Sequence, residues 1–337
     1  MDKKKVIAID LGASSGRVIS VAMENGKLEF EEVHRFANEG VHAGGRFYTD
    51  ILYIYREIIA GLKEAVHRSG SIESVAIDSW GVDFALLDAE GELMCNPYHY
   101  RDEQAVGMIE EADKIFGKRG LFCLTGVQDM WYNSVYQIQG LQRRKQDFLE
   151  RAECFLMIPD ILGYFLTGNR SIEYSSASTT QMYDLQQKTW SENICRKLGL
   201  DLKLLPEVVM TGAFKGNFSP KIKRMIGLPD EKEIRLTAAA GHDSASAAYA
   251  VPAKEKNYIF ISSGTWSVIG KLLEEPLITN EIYDRGYSNE GAAFGKIKLV
   301  KSIMGMWLIQ ELRKCWKNQG KKIDYGYLTE ESEKADA

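Results

Sequence analysis

The sequence predicts an α/β protein in two unequal parts, and three observations carry that expectation. A short apolar run, a Gly/Ser turn and a second apolar run stand at the head of the chain, and the same order returns near residue 258. Between these points, segments of helical period alternate with short strand-like runs. Val251-Pro252-Ala253-Lys254-Glu255-Lys256-Asn257 then breaks the periodicity with a proline and a charge cluster. At 337 residues the chain is also long for a single core, so we read 1–251 and 257–337 as two domains.

The elements follow in order. Val6-Ile7-Ala8-Ile9-Asp10 has the form of a buried strand, Gly12-Ala13-Ser14-Ser15-Gly16 of a turn, and residues 18–23 of a second strand. Asn25-Gly26 accommodates the positive φ angles of a tight hairpin, which leads into a third strand over 28–36. From Asp50 the period lengthens: Ile51, Ile54, Tyr55, Ile58, Ile59, Leu62 and Val66 define one helical face, with Thr49 or Asp50 as its N-cap. A strand over 74–78, an apolar run over 81–87 and a turn at 88–91 come next. Helical stretches are expected at 103–119, 134–151 and 159–166, and a strand over 233–240 stops at Gly241-His242-Asp243-Ser244 before a helix of small residues. Past the boundary, 258–261 and 266–272 read as strands around Ser262-Ser263-Gly264-Thr265. An amphipathic helix after Lys301 gathers Met304, Trp307, Leu308, Leu312, Cys315 and Trp316, and 329–337 reads as an acidic tail.

Composition narrows the function classes. Apolar residues at 45% and charged residues at 26% are ordinary for a globular protein, and a formal net charge of −5 speaks against a nucleic-acid binder. The basic clusters Arg143-Arg144-Lys145 and Lys321-Lys322 are short, as on any solvated surface. No run approaches the roughly 20 apolar residues of a membrane span, and the charged start leads into a strand, not a signal core. Five scattered cysteines without C-x-x-C spacing read as reduced thiols of a cytoplasmic protein with no cysteine metal site.

Three segments could carry chemistry. In Asp10-Leu11-Gly12-Ala13-Ser14-Ser15-Gly16, small residues let backbone N–H groups approach phosphate oxygens, and Asp10 can orient a hydrated Mg²⁺. The plainer reading is a hairpin turn, but the matching loop at Ser262 to Thr265 would complete a clamp around a triphosphate. No P-loop and no G-x-G-x-x-G occurs. In Gly241-His242-Asp243-Ser244, Asp243 can take a proton from a hydroxyl nucleophile; equally, Asp243 or Ser244 simply caps the helix behind it. Asp78-Ser79-Trp80-Gly81-Val82-Asp83 has the residue types of a sugar pocket, as does Tyr98-His99-Tyr100-Arg101-Asp102, with a buried core tryptophan as the commoner alternative. His34, His42 and His67 have no partner pattern.

Taken together, Ile9 to Arg17, Ile77-Asp78-Ser79-Trp80-Gly81-Val82-Asp83-Phe84, Gly241-His242-Asp243-Ser244, Ser262-Ser263-Gly264-Thr265-Trp266-Ser267 and Ile303-Met304-Gly305 resemble the rhamnulokinase branch of the FGGY carbohydrate-kinase family. The likeness runs in order from Val6 to about Gly320. It implies an actin-like ATPase (ribonuclease H-like) fold, two duplicated α/β domains around a cleft, with sugar and phosphate sites in the first and the nucleotide site in the second. It further implies that Ala13, Ser14, Ser15, Gly16, Arg17 and Thr265 hold ATP phosphates and that Gln310 lines the nucleotide site. Gly81, Asp83, His242, Ser244 and Ser302 would face the sugar, Asp10 would help place Mg²⁺, and Asp243 would be the catalytic base. The implied reaction transfers the γ-phosphoryl of ATP to O1 of L-rhamnulose, a small-molecule substrate.

Two departures shape the expectations. Ser302 stands where the family has a longer asparagine, which leaves the choice of sugar open. The family's Gly-Gly-Gly segment over the adenine has no counterpart, so the expectation is a truncated chain that binds ATP poorly, with an incomplete second domain and an exposed sheet edge. The competing readings are a kinase for another ketose or polyol such as fuculose or xylulose, a non-catalytic sugar-binding remnant, and an actin-like or chaperone-type ATPase.

Overall fold

A computed structural model describes residues 5–69, 72–255, 257–264 and 266–335. The first sheet is built from β1 (Lys5–Leu11), β2 (Ser15–Glu24), β3 (Lys27–Ala37), β4 (Ser74–Ser79), β5 (Phe214–Asn217) and β6 (Arg235–Thr237), in the order β5-β6-β4-β1-β2-β3. The β1–β2–β3 meander is antiparallel, and β4 and β6 join it in parallel. Asn25 and Gly26 take φ angles of 50° and 76°, as a two-residue turn matched to strand twist requires.

Alternation along β1 sends Ile7, Ile9 and Leu11 to a buried face and leaves Val6, Ala8 and Asp10 on the other, more open one. β4 repeats the pattern in register, Val75 and Ile77 inward, Ala76 and Asp78 outward. The buried face is covered by α1 (Ile51–Ser69), whose Ile51, Ile54, Ile58 and Leu62 have no exposed surface. Its N-terminus is held by Asp50, whose Oδ1 accepts the Tyr53 N–H at 3.1 Å, so Asp50 and not Thr49 takes the capping position. A long excursion follows with α2 (Ser134–Arg144), α3 (Ile158–Thr167) and the short α4 (Tyr174–Ser178), and the chain re-enters the sheet through β5 and β6 before α5 (Asp243–Ala250). The helix expected over 103–119 divides into a turn at Glu103–Ala105 and a helix at Met108–Phe116, because Gly107 sits at φ 79° between them. The strand expected over 233–240 shortens to β6; beyond it Ala238 bonds instead to Ala213.

The second sheet contains β7 (Phe260–Ser263), β8 (Trp266–Leu273), β9 (Ser288–Gly291) and β10 (Ile297–Met304), all antiparallel in the order β7-β8-β10-β9. The β7–β8 hairpin repeats the β1–β2 hairpin, and the far edge of β7 pairs with no described strand. One expectation needs correction. Met304 belongs to β10, and the amphipathic helix begins only at α6 (Trp307–Asn318). Most of the acidic tail is helical: α7 (Tyr325–Lys334) starts on Asp324, whose Oδ1 accepts the Tyr327 N–H at 2.8 Å. The two parts meet along β9, where the Asn289 amide donates to Gly126 O at 2.9 Å and the Gly291 N–H to Ser178 Oγ at 2.8 Å. All five cysteines are free, and no described helix is long and apolar enough to cross a membrane.

α1 approaches the sheet tightly at Gly61, where a Cβ would lie 2.5 Å from Val18 Cγ2. Gly61→Val should therefore cost about 1–3 kcal/mol of stability through overpacking, read as a lower urea midpoint. An unchanged midpoint would contradict this packing.

Candidate active site

Strand register gives the site its base. Asp10 on β1 lies directly beside Asp78 on parallel β4 and Arg17 on antiparallel β2, so the three side chains form a row on the open face. Arg17 pairs with Asp10 at 2.6 Å. Asp78 Oδ1 is buried with no hydrogen-bond partner, and Ser246, whose hydroxyl donates to Ala240 O at 2.8 Å, lies near the carboxylate. Burial pushes the Asp78 carboxyl well above its ordinary range, and the charges of Asp10 and Asp243 add to this. Asp10 is raised for the same two reasons, burial first, against the pull of Arg17.

Asp243 approaches from α5. The residues alone left open whether Asp243 or Ser244 caps this helix, and the structure gives that position to His242, with no side-chain cap bond. Asp243 occupies the first helical position with its side chain 40% exposed; its Oδ1 accepts the adjacent Ser244 N–H at 2.5 Å and lies 3.6 Å from His242 Nε2. The segment is held from behind by buried Glu173, which accepts the Gly241 N–H at 2.8 Å, the Ser175 N–H at 2.8 Å and the Thr211 hydroxyl at 2.8 Å. The Ser79 N–H donates to Gly241 O at 2.9 Å, tying the segment to the end of β4. From the second sheet, Lys298 on β10 donates to Ser244 Oγ at 2.6 Å and to His242 Nδ1 at 3.1 Å, and pairs with Glu290 on β9. Burial would raise Glu290, but the Lys298 ammonium overrides it and holds the carboxyl well below the usual range.

The phosphate-type loop stands open beside this base. The Gly12 N–H closes it onto Ser15 O at 3.0 Å, Asn38 clamps Gly12 O at 2.7 Å, and Ala13 and Ser14 are exposed. Gly16 is required for packing: a Cβ there would overlap the Phe36 ring. In the second sheet, the Met306 N–H donates to Gly264 O at 2.9 Å, and a Cβ at Gly305 would lie 2.6 Å from the same oxygen. Thr265 lies outside the described residues.

Residues 5–250 match the model for the N-terminal domain of the FGGY family of carbohydrate kinases. The chain belongs to this family. It is 40% identical over 314 residues to a rhamnulokinase of Bacteroides thetaiotaomicron, covering 93% of this chain and 64% of that protein. A rhamnulokinase of Oceanobacillus iheyensis is 38% identical over 322 residues, covering 96% and 67%. The chain thus spans a little under two thirds of the length of the first of these relatives. Among solved structures, a ligand-bound xylulose kinase from Lactobacillus acidophilus superposes with TM-score 0.81 at 18% identity, covering 92% of this chain and 62% of that one. Plasmodium falciparum glycerol kinase with ADP gives 0.81 at 16%, covering 99% and 67%. These likenesses show the α/β sugar-kinase fold with duplicated domains.

Within this FGGY chain the expected site residues do not all converge. Asp10, Arg17, His242, Asp243 and Ser244 meet at the base described above. Asp83 is completely buried and its oxygens are taken: Trp80 Nε1 donates at 2.9 Å, Thr49 and Gln137 at 3.4 Å, and the Tyr100 backbone N–H also reaches it. The expected direct sugar contact of Asp83 is therefore corrected to a wall-building role, and Trp80 is the buried core residue of the alternative reading. Ser302 is exposed opposite Val268, four residues from Lys298 and so roughly 13 Å along the strand, apart from His242. Gln310 lies in the first turn of α6, its N–H bonded to Met306 O at 2.9 Å. Gly81 is buried against Thr179, next to Val82 at φ 69°.

Several residues were missed. Glu173, Glu290 and Lys298 act across long sequence distances and have no motif of their own. Tyr100 and Tyr132, edge to face at 5.9 Å, add an aromatic wall near Asp83 and Glu290, and burial pushes Tyr132 up to about 12. The proline-flanked aromatic run at 98–102 was the one available signal.

Burial raises Asp83 to about 7 against four hydrogen bonds that favour its charged form. The folded state then binds this proton more tightly than the unfolded chain, so its contribution to stability is full in acid and is lost as pH rises from the ordinary aspartate range to about 7. The difference in unfolding free energy between the wild type and Asp83→Asn, followed by urea titration across that window, should slope accordingly. A flat difference would contradict the burial argument.

Proposed function

We propose that the chain carries the sugar and phosphate sites of an ATP-dependent kinase that phosphorylates L-rhamnulose at O1. The observation that carries the reading is Asp243: a half-exposed carboxylate at the start of α5, beside His242 and Ser244 and near enough to Asp10 and Asp78 for its charge to raise both. The identity to proteins named rhamnulokinase, 34–40% over most of the chain, supports this sugar over other ketoses.

Asp243 is the general base. It sits at the N-terminus of α5, where backbone N–H groups favour negative charge, and accepts the hydroxyl proton as the phosphoryl group transfers. His242 and Ser244 orient the sugar, and Gly81 with the Tyr100–Tyr132 wall bounds the pocket. The backbone N–H groups of Ala13 to Gly16, the Ser14 and Ser15 hydroxyls and Arg17 receive phosphate oxygens. Gln310 serves the nucleotide from the 257–337 domain, Thr265 is assigned to the phosphates by the family resemblance alone, and Ser302 approaches the sugar only if the two sheets close. Mg²⁺ fits the donor set: Asp10 and Asp78 offer hard oxygens side by side, and Asp78 Oδ1 is otherwise unsatisfied. Among the described residues no group of three His, Cys, Asp or Glu side chains is placed to hold a metal ion, and Mg²⁺ usually keeps several waters and phosphate oxygens in its shell. When bound it neutralises phosphate charge, and most of the acceleration comes from in-line positioning.

Asp243→Asn should lower kcat by about a hundred- to ten-thousandfold while sugar affinity by calorimetry stays near wild type; an unchanged kcat in a coupled assay would remove Asp243 as the base. Melting against a sugar panel should show a selective rise in Tm with L-rhamnulose, since a ligand at a hundred times its Kd stabilises by about 2.7 kcal/mol. An equal shift with xylulose would overturn the choice of sugar.

A further inference from the structure

We propose that Lys298, reaching from β10 of the second sheet, sets the proton arrangement of the sugar-facing residues: it fixes His242 with its proton on Nε2 and leaves the Ser244 hydroxyl able only to donate. The argument starts from valence. An ammonium has three N–H donors and no lone pair, and Lys298 is only 1% exposed, so each donor needs an acceptor. The three available are Glu290 Oε2, Ser244 Oγ at 2.6 Å and His242 Nδ1 at 3.1 Å. Nδ1 can serve only if it is unprotonated, which puts the imidazole proton on Nε2; the alternative, Nδ1–H donating to Glu290 Oε2, is longer at 3.4 Å and would leave one ammonium hydrogen without an acceptor.

The consequence passes to Ser244. His242 Nε2 lies 3.1 Å from Ser244 Oγ and, carrying the proton, donates to it. Ser244 Oγ then accepts from both Lys298 and His242, its two lone pairs are filled, and its own hydrogen is left for a ligand. The site thus presents a donor at Ser244 beside an acceptor at Asp243. That pair matches a substrate with a hydrogen-bond-accepting oxygen next to the hydroxyl that loses its proton, as a ketose has at C2 and C1. Glu290 keeps the arrangement neutral overall by balancing the buried ammonium. Lys298 is a positioning residue here, acting through His242 and Ser244, and the substrate part of the inference rests on the proposed kinase function.

The test has two independent readouts. The first is long-range proton–nitrogen NMR of the chain labelled in its five histidines at neutral pH, with His242 assigned by the signals lost in His242→Gln. The wild type should show His242 protonated at Nε2 only. Lys298→Met alone would strand a buried carboxylate, so the decisive variant is Lys298→Met combined with Glu290→Gln, which removes both charges. It should release the tautomer into a mixture, and Lys298→Arg should retain the Nε2–H form. The second readout is the sugar KM, which should rise on the order of ten- to a hundredfold in the double variant, the span of one hydrogen bond to a charged donor, with a smaller change in kcat. A wild-type His242 protonated at Nδ1, or a double variant that melts lower with tautomer and KM unchanged, would overturn the proposal and leave Lys298 as a clamp between sheets. If no sugar is phosphorylated at all, the kinase reading fails while the NMR result still decides the proton arrangement.

Discussion

The in-register pairing of Asp10 with Asp78 sets the terms for everything around it. Parallel neighbours lie about 5 Å apart, and two full charges at that distance repel by roughly 3 kcal/mol at the effective dielectric of a protein surface. Asp243 brings a third carboxylate into range, and its charge raises both of the others. Arg17 answers only Asp10 directly, and one oxygen of Asp78 has no partner. A sheet end with three acids and one arginine is unfavourable as a purely structural feature. It becomes reasonable where a cation and the phosphates it carries complete the charge balance.

Holding Asp243 in that position requires a second device. An eight-residue helix of small residues has little stability of its own, and omitting a side-chain cap forgoes about 1 kcal/mol. Glu173 compensates from outside the helix by fixing Gly241 and, through Ser175 Oγ, the His242 N–H at 3.1 Å. Gly241 permits this because a Cβ there would strike Ser176 Oγ at 2.4 Å. The carboxylate that anchors the entry to α5 is thus remote in sequence, while Asp243 Oδ1 takes only the adjacent Ser244 N–H at 2.5 Å.

Legibility in the sequence followed the range of the interactions. β1 to β3, the Asn25-Gly26 turn and α1 rest on period and turn chemistry, which short windows display, and they were read to within a few residues. The end of β10 was misread because Met304 is apolar and fits a helical stripe as well as a strand that runs on to meet Trp266. Asp10, His242, Asp243 and Ser244 stand out in the sequence because each lies beside a turn of small residues, Asp10 near the end of β1 and the others at the start of α5. Glu173, Glu290 and Lys298 do not stand out, since a buried charged residue looks in sequence like any surface charge until its partners are known. Asp78 belongs to a legible motif, but its pairing with Asp10 exists only in the register of two strands separated by α1.

Asp83 shows how far a motif can be carried from residue type alone. A carboxylate in a Trp-Gly-Val-Asp segment has the chemistry of a sugar ligand, yet here it is closed in by donors from Trp80, Thr49, Gln137 and Tyr100. The strain lies one residue earlier. Val82 is β-branched at φ 69°, a conformation worth of order 1–3 kcal/mol, and it is held there by Thr179 Oγ1 accepting its N–H at 3.0 Å and by Ser134 Oγ and Gln137 donating to its carbonyl at 2.6 and 3.2 Å. Gln137 serves both Val82 and Asp83, so the strained turn and the buried acid are one network. Its product is the position of Trp80 and Tyr100, and the segment shapes the pocket through its walls more than through the acid that first drew attention to it.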